Sequence, residues 1–165
     1  MATHLKNLSD FSNTEIPKAT DFSFAIVVSQ WNEEVTGALY QGALDFLIQH
    51  DALEENILTV HVPGSYELTS AADMVLTLKK VDAVICLGCV IQGETRHFDF
   101  ICDAVAHGLT QISIKHNKPV VFGVLTTDNL QQALERAGGR HGNKGEEAAA
   151  TAIQMAALQR TLSHN

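Results

Sequence analysis

Residues 81–100 read VDAVICLGCVIQGETRHFDF. From Ala83 to Ile91 the run is apolar without alternation, broken only by Gly88. Such a run suits a strand buried on both faces of a sheet. Gln92-Gly93-Glu94-Thr95-Arg96 is then abruptly polar, and Gly93 permits a sharp turn. From His97 onward Phe98, Ile101, Val105, Leu109 and Ile112 recur at helical spacing. The stretch predicts a strand, a tight turn and the start of a helix. The first N–H groups of a helix lack intrahelical partners, and its dipole is positive there. A Gly-Glu-Thr turn at that point can hold a phosphate through backbone N–H groups and the Thr95 hydroxyl. His97, in the first turn, is placed to serve as acid or base beside such an anion. By itself, the stretch reads equally well as an ordinary strand–helix loop with a surface histidine.

The flanking sequence repeats the alternation. Phe24 to Val28 (FAIVV) and Ile57 to Val62 (ILTVHV) are short β-branched runs, and Pro119 introduces Val120 to Leu125 (VVFGVL). The first is followed by a helical pattern through Val35, Leu39, Ala43, Phe46 and Leu47, with Asn32 in position to cap it. The second stops at Pro63-Gly64, and Ser65 is in position to cap a helix through Leu68, Ala72 and Val75, with Glu67 suited to its positive end. After the fourth strand, Thr126 to Asn129 precede a short helix around residues 130–137, which Gly138 and Gly139 are expected to end. A flexible loop over 140–145 then leads to an Ala-rich helix reaching about Leu162. Strands alternating with helices mean a parallel sheet covered on both faces, with right-handed crossovers. Residues 1–20 are expected to form an extended N-terminal arm, and 21–165 a single domain.

Every predicted strand ends in a polar or aromatic cluster: Ser29 to Asn32, Gly64 to Glu67, Gln92 to His97, and Thr126 to Asn129. In a parallel sheet these ends share the carboxyl edge, where open α/β sheets bind ligands. Trp31 is the only tryptophan. At that edge its ring suits stacking on a planar heterocycle, a subunit contact or a core plug. Ser65 sits in P-G-S-Y-E rather than a G-x-S-x-G elbow, so a cap or a ligand hydrogen bond suits it better than nucleophilic attack. GGRHGNKG (138–145) lacks the G-K-[ST] ending of a Walker A loop and follows a helix. Arg136 and Lys144 flank it as cations for a phosphate or as solvated charges.

Bulk properties exclude several classes. The chain has 165 residues, 45% hydrophobic and 18% charged, enough for one domain with a real core. A formal net charge of −8 argues against a nucleic-acid partner. No stretch approaches the about 18 apolar residues of a membrane span, and the polar N-terminus lacks a signal-peptide core, so a cytoplasmic protein is expected. Cys86 and Cys89 have C-x-x-C spacing, but residues three apart on a strand face opposite sides, and no second ligand pair completes a zinc site. Buried, inert thiols are expected. A four-stranded sheet has two edges to cover, which predicts a homo-oligomer whose arm pairs with a neighbouring subunit's sheet edge.

SQWN (29–32), VPGSYEL (62–68), GCVIQGETRHFDF (88–100), PVVFGVLTTDN (119–129) and ERAGGRHGNKGEEAA (135–149) together resemble the 6,7-dimethyl-8-ribityllumazine synthases of riboflavin biosynthesis. The segments lie in order and span nearly the whole predicted domain. The resemblance implies a three-layer α/β/α, flavodoxin-like fold with a four-stranded parallel sheet. It also implies a transferase that condenses 5-amino-6-(D-ribitylamino)uracil with 3,4-dihydroxy-2-butanone 4-phosphate, without metal or organic cofactor. Carried over position by position, Trp31 stacks on the pyrimidine and Asn32 follows it. Ser65, Tyr66 and Glu67 bind the ribityl chain. Cys89, Val90 and Ile91 contact the pyrimidine through their backbone. Glu94 and Thr95 form the phosphate turn, Arg136 grips the phosphate, and Lys144 lies near it. Phe122 is the aromatic wall of a neighbouring subunit's site, and His97 transfers the proton. The family's pentamers, with sites between subunits, are implied as well, and in some members twelve of them form an icosahedral shell. The short 138–145 segment is compatible with either. The chain departs from many relatives in carrying Gln30 and Gln92 for Arg, and Trp31 for Phe.

Overall fold

A computed structural model describes residues 7, 9–11 and 15–163. Its centre is β3 (Ala83–Ile91), buried along nearly its whole length as its unbroken apolar sequence requires. On one side β3 pairs with β1 (Phe24–Ser29), and β1 with β2 (Ile57–Val62); on the other it pairs with β4 (Val120–Thr127). All pairings are parallel, in the order β2-β1-β3-β4. Helices α1 (Glu33–Gln49), α2 (Leu68–Leu78) and α3 (His97–His116) form the connections. The chain ends in α5 (Lys144–Ser163).

Alternation divides the core in two. Phe24, Ile26, Val28, Ile85, Leu87 and Cys89 pack with Leu39, Phe46 and Leu47 of α1 and Ile153 of α5. Ala25, Val27, Val84 and Cys86 pack with Leu68 and Val75 of α2 and Val105 and Leu109 of α3. This is the three-layer α/β/α, flavodoxin-like arrangement. It also sends Cys86 and Cys89 to opposite faces, as the period of a strand dictates. Val105 and Leu109 are the only fully buried residues of the twenty-residue α3, and Phe100 and Ile114 are largely exposed. The α2–α3 layer is tied by Asp73, whose Oδ1 lies 2.8 Å from Lys115 Nζ and 2.7 Å from His116 Nε2. Among the described residues no helix is long and apolar enough to cross a membrane.

After β4 the chain departs from expectation. The helix α4 stops at Leu134, having begun at Leu130, and Asn129 caps it by accepting from Gln132 N. Residues Ala137–Gly139 (β5) then pair antiparallel with Gly142–Asn143 (β6). The glycines thus belong to a tight hairpin rather than a helix end and a flexible loop, with Gly138 and Gly142 at φ 104° and 80°. Asn143 closes the hairpin onto α1 by donating from Nδ2 to Ala38 O and accepting Gly145 N. Gly145 lets α5 approach α1 so closely that a Cβ there would strike the Leu39 carbonyl.

The described arm residues pack on their own chain. Phe11 meets Phe46 with ring centroids 4.8 Å apart, and Ser9 Oγ accepts from Asn143 N. The expected pairing of the arm with a neighbour's sheet edge falls partly on residues 1–6, 8 and 12–14, which lie outside the described residues.

Candidate active site

The strand order fixes where a ligand can enter. The connection after β1 leads outward to β2, whereas the one after β2 crosses back to β3. The connection after β3 leads to β4 on the other side, so the chains leaving the carboxyl ends of β1 and β3 diverge and a crevice opens between them. A cavity of about 640 Å³ lies there. It is lined by Trp31 and Asn32 after β1, Gly64 to Glu67 after β2, Cys89 to Ile91 at the end of β3, and His97 and Ile101 of α3.

Trp31 reaches the cavity because the chain bends sharply after it. Asn32 adopts the left-handed conformation, φ 62° and ψ 47°, which non-glycine residues rarely visit and asparagine tolerates best. Its side chain does not cap α1 as expected. Nδ2 instead donates to Cys89 O at 2.9 Å. Ladder pairing between β1 and β3 ends at Val28 and Leu87, so the amide supplies the donor that the strand no longer offers. Trp31 N donates to Pro63 O, and Ser29 Oγ to Trp31 O. The backbone of Trp31 is thus fixed while its side chain stays 72% exposed. Tyr66, 58% exposed, presents a second ring.

Ser65 does not cap α2. Ser65–Glu67 form a turn of 3-10 helix, and α2 begins at Leu68. The Ser65 hydroxyl is buried without a hydrogen-bond partner among the described residues, against the space left by Gly88, where a Cβ would meet it at 2.6 Å. A buried hydroxyl left so is costly unless a ligand completes it. In a parallel strand the N–H and C=O of one residue point to the same side. Ile91 therefore faces the same way as Cys89, beyond the end of β1, and offers backbone groups to the cavity.

The polar turn after β3 is exposed, and Gln92 N ties it to Thr127 O of β4. Among the described residues the N–H groups of Gly93, Glu94, Thr95 and Arg96 make no hydrogen bond. They precede α3, where such groups favour an anion. Thr95 Oγ1 accepts from His97 N at 3.4 Å. Burial pushes the Cys89 thiol up to about 11 and the Cys86 thiol higher still, so neither is a thiolate near neutrality.

Nine of the residues singled out in the sequence line this one cavity: Trp31, Asn32, Ser65, Tyr66, Glu67, Cys89, Val90, Ile91 and His97. Glu94, Thr95 and Arg136 are not in its wall; Arg136 follows α4 and donates from Nη1 to Gln132 O. Phe122 and Lys144 line a different cavity, of about 290 Å³, between β4, the end of α3 and α5. There Lys144 Nζ pairs with Glu147 at 2.7 Å. The sequence placed Gly64 in a strand-end cluster without a role of its own, and singled out neither Gly88 nor Ile101 as a site residue. Ile101 was detectable, since it stands four residues after His97 on the same helix face. The contact of Gly88 with Ser65 comes from tertiary packing alone.

The model of the family described as 6,7-dimethyl-8-ribityllumazine synthase matches residues 21–160. The chain belongs to this family. Among curated lumazine synthases, that of Cytophaga hutchinsonii is 57% identical over 95% of this chain and 98% of its own length. That of Flavobacterium johnsoniae is 50% identical over 99% and 87%, respectively. The Porphyromonas gingivalis protein is 49% identical over 97% and 99%. The matched residues take in every strand and all the residues that line the cavity between β1 and β3.

Proposed function

We propose that this lumazine synthase joins 5-amino-6-(D-ribitylamino)uracil to 3,4-dihydroxy-2-butanone 4-phosphate, releasing phosphate and water, in the cavity between β1 and β3. The observation that carries the reading is the convergence of Trp31, Ser65, Tyr66, Glu67 and His97 on one crevice. Trp31 stacks on the pyrimidine, while the backbone at Ile91 and neighbouring strand-end groups read its polar edge. Ser65 and Glu67 hold the ribityl hydroxyls, and the unpartnered Ser65 Oγ supports this. The free N–H groups of residues 93–96 receive the phosphate, with Glu94 and Thr95 shaping the turn and Arg136 closing on it. The attacking amine belongs to the substrate, so the protein needs to orient, stack and move protons. His97, the first residue of α3, is the proton-transfer group.

The single chain does not gather all of the proposed site. Phe122, 37% exposed on the edge strand β4, lines the smaller cavity. In the proposed pentamer it forms a wall of the neighbouring subunit's crevice, with Lys144 behind it. Closure of pentamers into a shell is an extension of the same proposal.

The test is absorbance of the lumazine product with both substrates, against the rate without enzyme. Turnover well above that background is expected. His97→Ala should lower turnover by up to about 10²-fold, the lower end of what a positioned acid or base supplies. Arg136→Ala should raise KM for the phosphorylated substrate by roughly 10- to 100-fold, the loss of a hydrogen bond to a charged group. A wild-type rate equal to background would sink the assignment.

A further inference from the structure

A third concave site lies at the opposite edge of the sheet. It is a groove of about 400 Å³ where α2 and α3 end and β1 and β3 begin. Lys79 and Lys80 enter it from the α2–β3 connection, Lys118 from the α3–β4 connection, and Ser23 from the residue before β1. Leu76 and Val81 supply an apolar floor. The three lysines outnumber the single carboxylate lining it, Asp82, in a chain of net charge −8.

Helix-end electrostatics explain only part of this. Cations at helix C-termini are favourable, and Lys115 and His116 occupy the last turn of α3, where Asp73 also holds them. The last turn of α2 carries no basic residue, and its extended C-cap is Lys79. Among the described residues Lys18, Lys115, Lys118 and Lys144 each have a carboxylate within 4.0 Å, whereas Lys79 and Lys80 have none. Asp82 is already engaged: Oδ2 accepts Ser23 N at 2.8 Å and Ser23 Oγ at 3.2 Å, and Oδ1 lies 3.7 Å from Lys118 Nζ. Two ammonium groups are thus left uncompensated beside a third.

We propose that this groove binds a small anion carrying several phosphoryl groups. Ammonium groups bind phosphoryl oxygens as point charges without demanding a fixed fork geometry. Cations arriving from separate connections suit a chain of phosphoryl groups better than one. The nine-residue β3 separates the groove from the catalytic crevice by roughly 30 Å, at about 3.3 Å per residue. That is several Debye lengths at physiological salt, about 8 Å each, so anion binding here and catalysis are electrostatically independent.

The experiment is calorimetric titration of the intact protein with inorganic triphosphate at 0.15 M salt. Saturable binding is expected. Lys79→Gln/Lys80→Gln should weaken it at least fivefold while lumazine formation stays at the wild-type rate. Asp82→Asn, which removes the opposing charge but keeps an acceptor for Ser23, should tighten it. Arg136→Ala, which weakens only the catalytic phosphate turn, should leave the lysine-dependent binding unchanged. Absence of saturable binding, a smaller loss in the lysine variant, weakening by Asp82→Asn, or loss confined to Arg136→Ala would each overturn the proposal. The last outcome would put the anion at the catalytic phosphate turn instead.

Discussion

Replacing Asn32 by alanine would remove the donor to Cys89 O and leave a methyl-bearing residue at φ 62°. The orphaned carbonyl costs about 1–3 kcal/mol, and the left-handed backbone adds to it for alanine but not for glycine. Asn32→Ala is therefore expected to be the less stable of the two in denaturant titration, and Asn32→Gly to recover part of the loss. Equal losses would mean that the left-handed bend carries no cost. Both variants should also weaken pyrimidine binding, since the bend carries Trp31. The structure places Asn32, expected as a site residue, in the cavity wall, but its side chain does not make the helix cap the sequence suggested. A helix cap and a strand-edge donor need the same small amide, and only the position of Cys89 O distinguishes them. Ser65 taught the same lesson: capping is legible as a residue type, whereas the space Gly88 leaves for its hydroxyl is not.

Elements were read most securely where the apolar run was longest. The span of β3, the start of α3 and the whole of β2 followed from pattern alone: β3 is an unbroken apolar run buried on both faces, while the edge strand β2 is a β-branched run stopped by Pro63-Gly64. The region after β4 did not, because consecutive glycines end helices and turn hairpins equally well. At this scale the α1–α5 crossing is the sharpest constraint. Gly145→Ala would drive a methyl group into the backbone carbonyl of Leu39. Its stability loss is expected at the top of the roughly 1–3 kcal/mol range for overpacking, measurable by denaturant midpoint; a loss under 0.5 kcal/mol would show that the helices part freely. The α2–α3 tie gives a pH signature. Hydrogen bonds from His116, then from Lys115, hold the Asp73 carboxyl below its ordinary value of 3.8. Its contribution is present above that value and is lost as pH falls through the lower, folded one. Asp73→Asn should therefore flatten the fall of Tm with acidification below pH 4, and an unchanged slope would mean the tie contributes nothing.

For the molecule as a whole, the family and the crevice were legible because their residues sit at strand ends in one chain. What no single chain displays is how Phe122 and Lys144 relate to the crevice, since they line another cavity. The proposed assembly makes a testable statement about that separation. Co-expressed His97→Ala and Phe122→Ala subunits, mixed at random in a ring, should regenerate about a quarter of sites with both residues intact, one from each neighbour. Activity no higher than the mean of the two parents would argue that each chain builds its site alone.

The sparse burial of α3 bears on how much protein a cell must make. A twenty-residue helix anchored by Val105 and Leu109, with Phe100 and Ile114 outward, leaves apolar surface that we propose a neighbour in the ring covers. Stability of that kind follows mass action. A strain expressing the gene weakly would hold more of the chain as lone subunits, whose α3 lies open to proteases. Dosage would then set the lifetime of each copy as well as their number, and riboflavin output would fall more steeply than transcript level.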